Sequence, residues 1–216
     1  MSTTMSPSVE EHDLDAPIAV SRRRIDQVLI GLGLVLTAAL VVAGALLMWG
    51  SNFAGDYVYD ELSAQQIFFP TAEALEAEGR TDLVKYAEEQ VTTGKQAEAY
   101  ASYIGGHLEE TADGLTYAEL GGPQREARAA LTEATEAGAS EEEIAALQEE
   151  VATITGQRET LFKGETLRGL LLSSYAWDTV GEIAGIAAIA AWVAAFAMAV
   201  LVVLGFVHMR RHHAKA

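Results

Sequence analysis

The stretch "VLIGLGLVLTAALVVAGALLMW", residues 28–49, decides the fold, together with a second stretch of the same kind near the end of the chain. No residue from Gln27 to Gly55 is charged, and twelve of the side chains in residues 28–49 are Leu, Ile or Val. The second stretch, "IAGIAAIAAWVAAFAMAVLVVLGFV" at 183–207, is also free of charge. Each exceeds the ~20 residues that a helix needs to cross the hydrocarbon of a bilayer. The sequence therefore predicts two transmembrane helices, 26–50 and 181–208.

The charged residues lie outside these stretches and are strongly biased in sign. The chain of 216 residues has a formal net charge of −17 and no cysteine. Residues 56–182, between the spans, hold 26 acidic and 8 basic side chains. Without cysteine no disulfide can form, so this segment depends on helix packing for its stability. We expect an all-α membrane protein in which two transmembrane helices bracket a small acidic extracytoplasmic helical bundle, residues 51–180.

Basic residues flank each span on the side that faces away from the acidic segment. Lys and Arg near span ends stay on the cytoplasmic side. Both termini are therefore predicted to be cytoplasmic, in a multi-pass protein of the cell inner (plasma) membrane. The residues expected to anchor these ends at the membrane surface are Arg22, Arg23, Arg24, Arg210 and Arg211.

Aromatic residues mark the opposite boundary of each span. Trp49 ends the first stretch and Trp177 precedes the second, where an interfacial belt belongs. A cleaved signal is the alternative interpretation of the first stretch, because Ala43-Gly44-Ala45 fits a small-x-small cleavage pattern. The apolar run is longer than the roughly 7–15 residues of a signal core. A retained membrane helix is therefore favoured.

The remaining segments are assigned from composition and from helical spacing. Residues 1–25 are rich in Ser, Thr, Glu, Asp and Pro, which predicts a disordered cytoplasmic tail. Residues 209–216 form a basic cytoplasmic tail. Between the spans no period-two pattern indicates strands. We expect an outward extension of the first span over Tyr57–Phe69, a short helix over Asp82–Val91, and a longer one over Lys95–Thr111.

Capping patterns predict where the later helices begin. Thr116 and Glu119 match a capping box at the start of a short helical piece, which Gly121-Gly122-Pro123 is expected to end. Ser140 and Glu143 match a second capping box. From there the pattern predicts a helix that pairs with an earlier helix and then runs into the second span without a hard break.

His107 is the only histidine between the spans and, with Glu110, gives the candidate metal site of this segment. Glu110 lies three residues further on, a spacing that places both side chains on one helix face. A divalent metal needs three or four ligands, and this segment contains no second histidine and no cysteine. We therefore expect a structural role for His107 and no metal or cofactor. A carboxylate-rich site is the alternative.

Small residues open the second span. Gly181, Gly185 and Ala188 form a surface on which another helix backbone can approach closely. The partner is either the first span of the same chain or another subunit. Besides the lipid bilayer, the expected partner is thus a membrane protein or a homo-oligomer. At the C-terminus, His208 and His212 have chelating spacing, but the neighbouring arginines favour contact with anionic lipid headgroups instead.

Several function classes are disfavoured by what the sequence lacks. The net charge of −18 between the spans repels phosphate, which excludes nucleic acid as a partner. Neither uncharged stretch, 28–49 or 183–207, carries an Asp, Glu, Lys or Arg side chain, and buried charges mark ion paths and proton relays. The chain is therefore not expected to transport a solute by itself.

The stretches "YIGGHLEETADGLTYAEL" (103–120) and "LFKGETLRGLLLSSYAWDTVGEIA" (161–184) carry a resemblance. They resemble a family of actinobacterial two-span integral membrane proteins of unknown function, over about two thirds of the chain. The resemblance implies the same topology. Some members bear a label as aromatic ring-opening dioxygenases. A non-haem iron site of that kind needs two histidines and a carboxylate, whereas residues 51–180 hold one histidine.

The sequence leads to three function hypotheses. The leading one is a non-enzymatic integral membrane protein whose acidic outer domain serves protein interaction or envelope structure. The second is an extracytoplasmic ligand-sensing or ligand-binding module that acts through a partner. The third is a metal-dependent enzyme centred on His107.

Overall fold

A computed structural model describes residues 22–213 of the chain. The predicted tail over residues 1–25 falls largely outside this range, as do the last three residues of the basic tail. The described residues form five α-helices and one 3-10 helix, which confirms the all-helical class. Strand-type pairing in this part of the chain is limited to one bridge between Phe68 and Gln90. The elements are α1 (Arg22–Ala64), α2 (Ala72–Ala77), the 3-10 helix (Thr81–Tyr86), α3 (Gly94–Thr111), α4 (Gly121–Glu136) and α5 (Glu141–His213).

The first and last helices are long and apolar enough to cross a membrane. α1 has 43 residues and α5 has 73. The most apolar 18-residue windows within them have mean hydropathies of 2.5 and 2.7. Only 6% and 11% of these windows are buried inside the protein. Apolar helices with so little protein cover differ from the core helix of a soluble domain, which is mostly buried.

The chain divides into two compact units. We call them the end unit, which comprises residues up to Gly44 and from Ala190 onward, and the central unit, Ala45–Ile189. In the end unit α1 and α5 approach closely at glycine. A Cβ atom on Gly44 would lie 2.4 Å from Nε1 of Trp192, and one on Gly33 would lie 2.6 Å from Cγ2 of Val202. Glycine at these positions therefore allows the indole and the valine to pack against the α1 backbone.

In the central unit α5 is the helix on which the other long helices pack. The end of α1 and α3 contact overlapping stretches of α5, whereas α4 contacts a stretch nearer the beginning of α5. α3 and α4 both run antiparallel to α5. The hydrogen bonds show the order: Gly94 N–H donates to Oδ2 of Asp178 (3.0 Å), and Gln157 Nε2 donates to the carbonyl oxygen of Thr111 (3.1 Å). Further along, Gln124 Nε2 donates to Oγ1 of Thr155 (2.9 Å).

Two apolar clusters form the core of the central unit. The larger cluster joins the end of α1, the α2 segment and α3 to α5, and its most deeply buried side chains are Leu75 and Val91, both 0% exposed. The smaller cluster joins α3 and the start of α4 to α5. Its members are Leu108, Ala112, Leu120 and Leu161.

The structure corrects the prediction for residues 57–91. α1 ends at Ala64 instead of Phe69, and the helix expected over Asp82–Val91 is a 3-10 helix that ends at Tyr86. The reason is a non-local backbone pairing between the two segments. Phe69 N–H donates to the carbonyl oxygen of Glu89 (3.0 Å), and Val91 N–H donates to that of Ile67 (2.9 Å). These bonds hold both segments in extended form, which helix continuation would not allow.

The hydrogen bonds expected at Thr116 are present, but residues 117–120 form a turn instead of the predicted helical piece, and one predicted helix break is wrong. Thr116 N–H donates to Oε2 of Glu119 (2.8 Å), and Glu119 N–H donates to Oγ1 of Thr116 (3.3 Å). At Ser140, Oγ accepts from Glu143 N–H (3.2 Å) at the start of α5. Gly121-Gly122-Pro123, expected to interrupt a helix, instead opens α4. Proline in the first turn costs no intrahelical hydrogen bond, because the amide that it lacks would be unpaired there.

Candidate functional site

His107 lies on α3 and contacts a carboxylate other than the expected one. Its Nε2 is 3.6 Å from Oε2 of Glu78, and its ring meets the ring of Tyr103 edge-on with centroids 4.6 Å apart. The Tyr103 hydroxyl donates to the other oxygen of the same carboxylate at 3.4 Å. Glu110 is solvent-exposed. The structure therefore brings His107 to Glu78, from the end of α2, and not to Glu110.

Arg80 joins the same two segments a short distance away. Its guanidinium donates to both carboxylate oxygens of Asp82 (3.1 and 3.0 Å) and to the carbonyl oxygen of Ser102 on α3 (3.1 Å). The hydrogen bond from Arg80 lowers the pKa of Asp82. Burial, and to a smaller extent the hydrogen bond to Glu78, raises the pKa of Tyr103. These contacts fasten the α2 region to α3.

The described residues offer no metal centre at this position. Within residues 22–213 no three His, Cys, Asp or Glu side chains lie close enough together to hold a metal ion. His107 and Glu78 are both solvent-exposed side chains, 46% and 38% exposed, at the contact between the α2 region and α3. Together with Tyr103, they join these two segments.

The small residues of the second span face α1 of the same chain. A Cβ atom on Gly181 would lie 3.0 Å from Cβ of Ala54, and one on Gly185 would lie 2.8 Å from Oγ of Ser51. Ala188 is 0% exposed. The contacts come from α1 of the same chain, just beyond the predicted first span.

The aromatic and basic residues assigned to the membrane boundary are mostly exposed. Trp49 is 68% exposed and stacks on Phe53 with ring centroids 5.8 Å apart. Trp177 is 55% exposed. Arg210 places its guanidinium over the ring of Phe206 (5.3 Å). Arg24 and Arg211 are exposed, whereas the side chains of Arg22 and Arg23 lie outside the described part of the chain.

An apolar groove in the central unit was not predicted from the sequence. It has a volume of about 320 Å³ and lies between the end of α1 and the adjoining turns of α5. Buried side chains form its floor, whereas Tyr57, Leu170 and Trp177 project from its walls with half or more of their surface exposed. Polar groups line part of it. The lining residues are Tyr57, Val58, Glu61, Leu62, Gln65, Ile67, Leu167, Leu170, Leu171, Ser173, Ser174 and Trp177.

The sequence did contain a signal for one wall of this groove. Leu167, Leu170 and Trp177 occur at intervals of three and seven residues, the spacing of a and d positions in a helix seam. We call these three residues the α5 seam. In the part of the chain that the structure describes, these three side chains are 39%, 63% and 55% exposed.

Comparison with family models, with curated proteins and with solved structures finds no match for this chain.

Proposed function

We propose that the protein is a non-enzymatic integral membrane protein that binds a helix of another membrane protein in the groove between α1 and α5. In this proposal both termini are cytoplasmic and the acidic central segment lies outside the cell membrane. Two observations support the membrane location. The apolar windows of α1 and α5 are almost uncovered by protein, and the basic residues nearest to the spans in sequence lie at their proposed cytoplasmic ends.

The groove is the observation that carries the binding role. Its volume of about 320 Å³ accepts protruding side chains, and it is lined mainly by apolar groups with a few polar ones, as binding sites commonly are. Exposed tryptophan, tyrosine and leucine beside a groove are characteristic of interface hot spots. A contiguous apolar surface of this kind is rarely left uncovered on an isolated protein.

The position of the groove favours a membrane protein as the partner. Trp177 is six residues before Ile183, the start of the proposed span, which corresponds to about 9 Å of helix. A helix that leaves the bilayer beside α5 therefore passes directly along the α5 seam. Glu61 on the α1 side favours a basic side chain on that partner.

The chain's lack of cysteine allows a direct test of the topology. Single cysteines introduced at Glu149 and at Ala216 are labelled with a membrane-impermeant maleimide in intact cells. We expect labelling at position 149 only, and labelling at 216 after lysis. Labelling of both positions, or of 216 alone, in intact cells would contradict the proposed orientation.

Photo-crosslinking tests the groove itself. A photoreactive amino acid at Leu170 should yield one discrete protein adduct in cells, whereas the same residue at Glu149, also exposed on α5, should yield none. The adduct at 170 should disappear in a Trp177→Glu background. Co-expression of two differently tagged copies shows whether the adduct joins two copies of this chain. Equal adducts at both positions, or lipid adducts only, would contradict the proposal.

A further inference from the structure

Arg158 on α5 is held in place without a negative charge from the chain. Its Nη1 donates to Oε1 of Gln124, and its guanidinium lies over the ring of Tyr117, 4.2 Å from the centroid. Its Nε is enclosed and has no hydrogen-bond partner in the structure. A partly buried guanidinium is costly unless an opposite charge compensates it. The contacts that hold this side chain are an amide oxygen and an aromatic ring, and neither carries the negative charge that would compensate the guanidinium.

A second arginine converges on the same point. Gly121 opens α4, and a Cβ atom on it would lie 3.6 Å from Nη1 of Arg125 and 3.9 Å from Nη2 of Arg158. Two guanidinium groups thus face one small space above a residue that has no side chain. Like charges brought together in this way repel each other unless an anion lies between them.

The acidic residues of the chain do not supply that anion. Residues 56–182 contain 26 carboxylates, yet in the part of the chain that the structure describes neither Arg125 nor Arg158 belongs to an ion pair. Lys163, the nearest lysine along α5, is paired with Glu159 at 3.4 Å. The first turn of α4 also contains no acidic residue. The positive charges at this point are therefore available to an external ligand.

We propose that Arg125 and Arg158 bind a phosphate-type oxyanion in the space above Gly121. Guanidinium groups donate paired N–H bonds in a planar fork that matches the oxygens of phosphate, and such charge-assisted bonds are among the strongest hydrogen bonds in proteins. A cavity of about 250 Å³ on the Arg158 side of the pair is open to solvent. Besides Arg158, it is lined by Tyr117, Gln124, Thr155, Phe162, Lys163 and Glu159, whose carboxylate is paired with Lys163. The overall negative charge still repels a polyanion such as nucleic acid, but a single small phosphate meets mainly the local pair.

The ligand is a soluble phosphate and not a headgroup of the surrounding bilayer. Arg158 lies 25 residues before Ile183 on the continuous helix α5, which corresponds to about 38 Å of helix. This assignment of the source rests on the proposed membrane placement of Ile183, whereas the binding of phosphate itself does not. Inorganic phosphate and the phosphate group of a small ester share the required chemistry.

The test uses the full-length protein purified in a mild detergent, so its outcome is independent of topology. Thermal unfolding is compared in sodium phosphate and in sodium chloride at the same pH and ionic strength, and inorganic phosphate is titrated calorimetrically. We expect a higher melting temperature in phosphate, because a ligand that binds only the folded state stabilises it. Arg125→Gln should weaken phosphate binding by about tenfold or more.

Two matched variants separate a site from general charge effects. Gly121→Ala places a methyl group at ordinary contact distance from both guanidinium groups, so it should fold normally in chloride and lose the phosphate response. Arg128 is exposed on the same helix, as Arg125 is, but does not approach Gly121. Arg128→Gln removes the same charge and should keep the phosphate response. The proposal is overturned if the wild type shows no phosphate-specific shift, if Arg128→Gln loses the shift as fully as Arg125→Gln, or if acetate stabilises the protein as much as phosphate.

Vesicles distinguish the two phosphate sources. Phosphatidylglycerol vesicles containing the reconstituted protein should leave calorimetric binding of inorganic phosphate unchanged relative to phosphatidylcholine vesicles. If phosphatidylglycerol abolishes that binding, a lipid headgroup occupies the site and the soluble ligand is excluded.

Discussion

Leu108 and Gly164 form the contact whose energetics can be worked out most fully. Leu108 on α3 is 6% exposed and packs against the α5 backbone where Gly164 has no side chain. A Cβ atom on Gly164 would lie 2.5 Å from Cδ2, 2.8 Å from Cδ1 and 3.0 Å from Cγ of Leu108. All three of these carbons are removed by Leu108→Ala. The same alanine at position 164 should therefore have opposite effects in the two backgrounds.

The magnitudes follow from the atoms involved. In the wild type Gly164→Ala gains about 1 kcal/mol of helix propensity but overpacks the contact at a cost of about 1–3 kcal/mol. The net effect is a destabilisation of up to about 2 kcal/mol. Leu108→Ala alone should lower the free energy of unfolding by about 2–5 kcal/mol. In that background Gly164→Ala keeps the helix gain and buries a methyl group, so it should stabilise by about 1–2 kcal/mol.

A double-mutant cycle measures this reversal. Urea unfolding of the four full-length proteins in a mild detergent, followed by far-UV circular dichroism, gives a coupling free energy that should be about 1–4 kcal/mol. Gly169→Ala is a matched control on the same helix, because no atom lies within 4 Å of its Cβ position. The reasoning is refuted if Gly164→Ala has the same effect in both backgrounds within about 0.5 kcal/mol, the limit of simple additivity.

Three further predictions concern other parts of the chain. Gly44→Ala should lower the melting temperature in detergent because its Cβ meets an indole at 2.4 Å, whereas Gly31→Ala, with open space around it, should not; equal melting temperatures would count against the helix contact. Backbone and side-chain hydrogen bonds from Thr116 lower the pKa of Glu119 below its ordinary value of 4.5. The stability that this cap contributes is therefore present above pH 4.5 and is lost as the pH falls through the lowered pKa. Carboxyl-carbon NMR should show this lowered pKa, and Thr116→Ala should move it part of the way back; an ordinary pKa in the wild type would refute the cap. His107→Ala should lower the melting temperature through loss of the ring and carboxylate contacts, with metal content in elemental analysis equal to that of the wild type; metal bound only by the wild type would restore the metal hypothesis.

Features of the fold that depend on local sequence could be predicted. The two uncharged stretches specify long apolar helices by composition alone, and the Thr116–Glu119 cap is set by residues three positions apart. The Gly121-Gly122-Pro123 break was wrong because glycine and proline can open a helix as well as end one. Only the neighbouring segments decide between the two outcomes.

Features that depend on distant residues could not be predicted. The extended segments at residues 67–69 and 89–91 exist because their backbones pair with each other, which no local pattern records. The partner of His107 is Glu78, from another element, so counting carboxylates near it in sequence pointed to Glu110 instead. The convergence of Arg125 and Arg158 likewise results from the pairing of α4 with α5.

The antiparallel contacts along α5 also predict an order in which the central unit folds. The residues joined by hydrogen bonds to α5 are separated in sequence by 31 positions at Thr155, 46 at Gln157, 67 at Arg168 and 84 at Asp178. Each contact that has formed shortens the loop that the next contact must close. The entropy of loop closure therefore favours formation of the α4 contacts first and of the contacts near the span last. Substitutions near Thr155 should then slow folding, whereas those near Asp178 should mainly accelerate unfolding, a difference that stopped-flow kinetics can measure. During synthesis, α3 and the end of α1 would remain without their packing partner until almost the whole chain has been made.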